Sequence, residues 1–81
     1  MASSARRGLN RLPESVVAAV IELIDGPLKQ EPTRVGKPLR EPLAGLHSAR
    51  RGQYRVLYKI DDENHRVVVV AIGHRSTIYR S

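Results

Sequence analysis

HSARRGQYRVLYKIDDENHRVVVVAIGHRSTIY, residues 47–79, is the stretch of sequence that decides the fold. It contains two strand-like runs, residues 54–60 and 66–72, which are joined by a short polar turn. A third run, residues 46–51, precedes them and ends at a turn near Gly52. Three such runs in succession, joined by short turns, predict an antiparallel meander.

Side chains alternate differently along the two longer runs. In the first run, the positions that point one way are Tyr54, Val56, Tyr58 and Ile60. The positions that point the other way are Arg55, Leu57 and Lys59. A strand with an arginine and a lysine on one face is suited to hold a polyanion. The second run, from Val67 to Ile72, is apolar on both faces, which predicts a central strand covered on both sides.

Residues 4–25 predict two helices. The first, at 4–12, is short and is interrupted by Gly8. Pro13 then stands where a new helix can begin without losing a hydrogen bond. The apolar residues of the second helix recur at helical spacing; they are Val16, Val17, Val20, Ile21 and Ile24. Gly26 and Pro27 are expected to end this helix, and the proline-rich residues 27–45 predict an extended connection, with at most one more helical turn at Leu28.

The length and the composition exclude several classes of protein. With 81 residues, the chain is expected to form one domain, residues 1–81, because a second hydrophobic core would not fit. It has no cysteine, which excludes disulfides, thiolate catalysis and cysteine metal sites. No apolar run approaches the ~20 residues that span a bilayer. We therefore expect a soluble protein of a reducing, cytoplasmic compartment that does not associate with membranes.

The charge balance favours an anionic partner. Fourteen Lys and Arg residues against eight Asp and Glu residues give a net charge of +6. Basic proteins bind nucleic acid in part because each neutralised phosphate releases condensed counterions. Arginine, which predominates here, suits planar contacts with phosphate. A charge that serves solubility, or one that holds an acidic protein partner, is compatible with the same composition.

Four motifs, taken together in this order, resemble one known family. They are RLP at 11–13, VGKPLR at 35–40, LAGLHSARRGQYRVLYKID at 43–61 and VVVVAIGHRSTIY at 67–79. The chain resembles the RelE-type toxins of the RelE/ParE superfamily of bacterial toxin–antitoxin pairs. The resemblance implies an α+β fold in which two N-terminal helices pack on a small curved antiparallel sheet.

The start of the chain departs from the family pattern. Family members usually begin with a β-strand before the first helix, whereas only Met-Ala-Ser-Ser precedes Ala5 here. The missing strand is expected to leave an unpaired sheet edge and an exposed apolar surface. Either the chain is a truncated toxin, or a strand from a partner fills the gap.

The resemblance also implies an activity. RelE-type toxins enter the ribosomal A site and cut messenger RNA without a metal or another cofactor, and a cognate RelB-like antitoxin neutralises them. The 2′-hydroxyl attacks the adjacent phosphate, which leaves a 2′,3′-cyclic phosphate and a 5′-hydroxyl. Two alternatives stay open: a ParE-like inhibitor of DNA gyrase, and an inactive toxin that only binds its antitoxin. Homo-oligomers or hetero-oligomers are compatible with all of these.

The same resemblance implies four catalytic residues. Arg55 is expected to stabilise the phosphate charge, and Arg75 is expected to assist it. Tyr79 is expected to stack on a base or to assist proton transfer, and His74 to act as general acid or base. Each has a simpler alternative: a surface salt bridge for Arg55, an RNA or antitoxin contact for Arg75, and closure of the core for Tyr79. The sequence does not say which proton His74 moves.

Five further cations are expected to position RNA rather than to react. They are Lys37, Arg40, Arg50, Arg51 and Lys59. For each of them, an ordinary solvated charge is the alternative.

Overall fold

In the computed structural model, which describes residues 1–78, helices precede a single antiparallel sheet. The helical elements are α1 (Ser3–Asn10), α2 (Glu14–Leu23), a π-helical turn (Ile24–Leu28) and α3 (Pro32–Val35). The strands are β1 (Lys37–Pro38), β2 (His47–Arg51), β3 (Tyr54–Asp61) and β4 (Arg66–His74). The predicted α+β class is confirmed.

The sheet is an antiparallel meander with the order β1-β2-β3-β4. The three strands predicted from the sequence are confirmed as β2, β3 and β4, and β1 is an addition. A two-residue turn joins β2 to β3, and its Gly52 has a φ of +60°, a conformation that glycine adopts without strain. This turn places Arg51 opposite Tyr54 and so sets the register of the whole hairpin.

One face of the sheet packs on the helices and forms the core. Its buried residues from the strands are Ala49, Val56, Tyr58, Val69 and Ile72. Those from the helical segment are Ala5, Val20 and Leu28. Burying each of the larger aliphatic side chains contributes roughly 1.5–3 kcal/mol. The predicted alternation along β3 is confirmed at its centre, because Val56 and Tyr58 lie in this core whereas Arg55 leaves the opposite face.

The prediction that Gly26 and Pro27 end the second helix is wrong. The helical path continues through both residues as a π-helical turn, which brings Leu28 into the core with no exposed surface. Burial of a leucine outweighs the loss of one hydrogen bond at Pro27, which has no N–H to donate. Residues 27–45 are likewise only partly an extended connection, since they include α3 and β1.

The prediction that residues 67–72 form a central strand is also wrong. Within residues 1–78, β4 is an edge strand that pairs only with β3. Helix α1 covers its outer edge instead. The Ala2 N–H donates to the Val69 carbonyl at 3.0 Å, and the Ser4 hydroxyl donates to the Val70 carbonyl. At Gly8 the helix backbone lies directly against the carbonyl of Ile72.

The cover that α1 provides has a consequence for the surface. The expectation of an exposed apolar surface at this edge is wrong, because Met1 is the one large hydrophobic residue exposed within residues 1–78. No helix in that range is long and apolar enough to cross a lipid bilayer.

Candidate nucleic-acid interface

Three cations line a groove on the face of the sheet that lies opposite the helices. Lys37 pairs with Ser48 across β1 and β2, and Arg50 pairs with Arg55 across β2 and β3. Residues that oppose each other in a ladder share a face, and so do residues two apart on one strand. We call this groove, of about 590 Å³, the basic groove; its lining residues are Val35, Lys37, Pro38, Leu39, Ser48, Arg50 and Arg55.

Among residues 1–78, no acidic side chain forms an ion pair with the cations of the basic groove. The two ion pairs within residues 1–78, Arg34–Glu31 and Arg66–Asp61, lie elsewhere. Arg50 and Arg55 are directly opposed, and like charges in that position destabilise a sheet. Such an arrangement is typical of a site that binds an anion.

The Arg55 guanidinium is oriented by the backbone of the adjoining turn. Its Nη1 donates to the carbonyls of Tyr54 at 3.1 Å and Gly52 at 3.3 Å. These acceptors are neutral, so the positive charge is retained. The edge formed by Nε and Nη2, which can bind two oxygens of one phosphate, has no hydrogen-bond partner among the described residues.

His74 and Arg75 lie where β4 ends. His74 pairs with Tyr54 in the ladder and therefore lies on the helix side, opposite to Arg55. Arg75 is the first residue of the turn that follows β4, and its N–H donates to the Gln53 carbonyl at 2.8 Å. This bond ties the backbone of Arg75 to the turn before β3, which begins one residue before Arg55. The structure thus separates His74 from Arg55 by the thickness of the sheet.

The His74 ring is held by its own turn. Its Nδ1 accepts the Ser76 N–H at 3.1 Å and lies 2.7 Å from the Ser76 hydroxyl oxygen. Since Nδ1 is an acceptor in this arrangement, the proton of the neutral ring is on Nε2. The edge of the ring also contacts Tyr54, with the ring centroids 5.4 Å apart. These contacts tie the imidazole to the turn that carries Arg75.

The other predicted RNA contacts are dispersed. Lys59 is exposed on the face of Arg55, but it lies four residues along β3, ~13 Å away. Arg40 is exposed in the loop after β1. Arg51 lies on the helix side, where it lines a depression together with Glu22 of α2. Tyr79 lies outside the described residues. Of the five cations that were expected to position RNA, only Lys37 and Arg50 line the basic groove with Arg55.

A second groove, which the sequence analysis missed, runs between α1 and the edge of β4. It has a volume of about 610 Å³, and Arg7, Arg11, Tyr54 and His74 line it. Two arginines four residues apart lie on the same side of a helix, so the sequence does contain a signal for this surface.

Tyr58 supports the wall of the basic groove from the helix side of the sheet. Its hydroxyl donates to the Pro32 carbonyl at 2.5 Å and packs against the backbone of Gly36, which lies one residue before Lys37. Burial raises the pKa of the Tyr58 hydroxyl, while the nearby Gly36 N–H opposes that rise. The neutral hydroxyl is therefore the form that this site favours.

Comparison with known proteins gives consistent matches. Residues 3–79 match the family model described as ParE toxin of type II toxin–antitoxin system, parDE. The chain is similar to toxin RelG of Mycobacterium tuberculosis, with 56% identity over 78 residues, 96% of this chain and 90% of the relative. Toxin RelE of the same organism is 56% identical over 78 residues, 96% of this chain and 80% of the relative. The crystal structure of the toxin–antitoxin complex RelBE2 from M. tuberculosis matches with a TM-score of 0.88 and 55% identity, over 93% of this chain and 86% of that chain.

Proposed function

This chain belongs to the ParE toxin family of type II toxin–antitoxin systems and is a toxin of the RelE type; we propose that it cleaves messenger RNA in the ribosomal A site. In the proposed reaction the 2′-hydroxyl of a nucleotide attacks the adjacent phosphorus, and the bond from phosphorus to the 5′-oxygen breaks. The attacking hydroxyl loses its proton, the leaving oxygen gains one, and the reaction needs no metal. The products are a 2′,3′-cyclic phosphate and a 5′-hydroxyl.

The observation that carries this proposal is the basic groove. Lys37, Arg50 and Arg55 line one concavity and have no acidic partner within residues 1–78. During the attack, negative charge grows on the phosphate oxygens, and fixed cations lower the barrier most when they are already in place. The Arg55 guanidinium meets this condition because two carbonyls orient it. We assign Arg75, in the turn that follows β4, to the same phosphate or to its neighbour.

The partner that neutralises the toxin is proposed to be an antitoxin, as in the RelBE2 complex of M. tuberculosis. An acidic segment that occupies the basic groove would compete with the phosphates of RNA for the same three cations. Inhibition would then need no change in the fold of the toxin.

Mapping of 5′ ends on ribosome-bound messenger RNA tests the proposal. The purified toxin is added to ribosomes programmed with a defined message, and to the same message without ribosomes. We expect cuts only in the presence of ribosomes. A message with a single 2′-deoxynucleotide at the cut position should resist cleavage there and nowhere else. Cleavage of the deoxy-substituted message at an unchanged rate would contradict the proposed nucleophile.

The matching family model is described as a ParE toxin, which keeps open the second candidate of the sequence analysis, a ParE-like inhibitor of DNA gyrase. Supercoiling assays with purified gyrase, run beside the ribosome assay, separate the two. Loss of supercoiling with an intact message would assign the chain to the second function. A toxin that only binds its antitoxin would be silent in both assays.

The position of His74 indicates a supporting role rather than a chemical one. Its side chain leaves the sheet on the face opposite to Arg55 and binds its own turn. We therefore expect His74→Ala to lower the cleavage rate by about tenfold or less, which corresponds to about 1.4 kcal/mol of barrier.

The His74→Asn variant distinguishes the two roles. An asparagine side chain also accepts the N–H of the residue two positions on, so it should restore the turn and most of the activity. A general acid or base would give a different result. Both variants would then lose about 10²–10⁴ in rate, and the pH–rate profile would lose one limb.

A further inference from the structure

The Tyr58 hydroxyl reaches through the core to the segment behind the basic groove. Tyr58 has no exposed surface, and its ring lies in the helix-side core. The hydroxyl touches both ends of α3, because it donates to the Pro32 carbonyl and packs against the backbone of Gly36. A phenylalanine would fill the same apolar space, so the hydroxyl serves these two contacts.

The backbone of Gly36 packs tightly against the Tyr58 hydroxyl. A Cβ at this position would collide with the Tyr58 hydroxyl oxygen and would lie 2.9 Å from the Ser48 carbonyl oxygen. The backbone of residue 36 therefore lies directly on the hydroxyl and on β2. The next residue along the chain is Lys37.

The strand that carries Lys37 is too short to fix its own position through pairing alone. β1 consists of two residues and pairs with β2 at Lys37–Ser48 and Pro38–His47. Helix α3, which precedes it, is a single turn, and no side chain caps its N-terminus. The hydroxyl of Tyr58 gives this segment a fixed point inside the core.

We propose that Tyr58 is a positioning residue for the basic groove, since its hydroxyl fixes residues 32–37 so that Lys37 faces Arg50 and Arg55. This inference rests on the proposed function for its RNA readout. Tyr58 itself touches neither the groove nor the reacting atoms. Its effect on RNA passes through Lys37.

A double-mutant cycle tests the proposal. The variants Tyr58→Phe, Lys37→Ala and the double variant are compared for binding of a short single-stranded RNA with 2′-O-methyl groups, which cannot be cut. We expect Tyr58→Phe to weaken binding about fivefold to tenfold, in line with the loss of one hydrogen bond. Lys37→Ala should reduce the dependence of log K on log salt concentration by about 0.7, the value of one phosphate contact on a single strand. In the Lys37→Ala background, Tyr58→Phe should weaken binding less than twofold. A change of that size lies within the error to which the free-energy effects of two independent mutations add.

A second measurement does not depend on RNA. Amide hydrogen exchange in Tyr58→Phe should accelerate at residues 36–39, while the amides of β3 stay protected. The control is Tyr54→Phe, which removes a hydroxyl from the same strand and should leave the exchange at residues 36–39 unchanged.

Two results would overturn the proposal. One is equal weakening of RNA binding by Tyr58→Phe with and without Lys37, which would indicate a general loss of stability. The other is unchanged exchange at residues 36–39. If the wild-type protein binds no RNA, the proposed function fails, while the exchange result still decides whether Tyr58 fixes this segment.

Discussion

Replacing Arg55 by alanine is expected to lower the cleavage of ribosome-bound messenger RNA by two orders of magnitude or more. The guanidinium is the best-oriented cation of the basic groove, since Nη1 is held by two backbone carbonyls and the Nε and Nη2 edge is open. Removing one donor that stabilises a developing oxyanion costs about 10²–10³ in rate. Single-turnover cleavage on programmed ribosomes, with thermal unfolding measured in parallel, checks the prediction.

Two variants control for the loss of charge itself. Arg66→Ala removes one positive charge from the far end of the sheet, where Arg66 lies 3.7 Å from Asp61, and should leave the rate nearly unchanged. Arg55→Lys keeps the charge but loses the planar, two-pronged contact, so we expect only partial recovery. A loss of less than tenfold in Arg55→Ala would place the charge-stabilising role on another residue.

Gly8→Ala is expected to destabilise the fold strongly, because it adds a methyl group where α1 touches β4. A Cβ at this position would overlap the carbonyl oxygen of Ile72, and backbone on both sides prevents relief by rotation of a side chain. The helix would have to move away from β4, which would expose Ala5 and the edge of the strand. We expect a loss of about 3 kcal/mol or more in the free energy of unfolding. Thermal denaturation should show it, at about 4–8 °C for each kcal/mol in a domain of this size.

Gly26→Ala is the matched control for Gly8→Ala. A Cβ at Gly26 meets nothing within 4 Å, and its φ is not in the left-handed region. The substitution should therefore be neutral or stabilising by about 0.4–1 kcal/mol, because the unfolded chain loses freedom. Similar melting temperatures for the two variants would mean that α1 does not rest on β4 as described.

The sequence predicted most of the sheet because strand periodicity and turn residues are local signals. Alternation placed Arg55 on the face opposite Val56, and Gly52 marked the turn that sets the register of the hairpin. Alternation alone could not place His74. The face of His74 depends on its pairing with Tyr54, and the ladder between β3 and β4 includes a bulge at Val70 that no local sequence pattern reveals.

Other features depend on tertiary contacts that a linear pattern does not contain. Burial of Leu28 carries the helix past Pro27, although both residues at 26 and 27 are typical helix terminators. β4 was predicted to be central because it is apolar on both faces, but its outer edge is met by α1 instead of another strand. The place of Lys37 depends on the pairing of β1 with β2, next to the point where Gly36 packs on Tyr58. In the sequence, Tyr58 and Gly36 look like ordinary core and turn positions.

The direct opposition of Arg50 and Arg55 in the sheet also matters for how the protein behaves in solution. A multivalent anion that binds both side chains would relieve their repulsion in the native state. It would have no equivalent site in the unfolded chain, so it would raise the melting temperature by mass action. Stability measured in phosphate would then be a property of protein and buffer together, and a chloride solution of equal ionic strength would give the lower, intrinsic value.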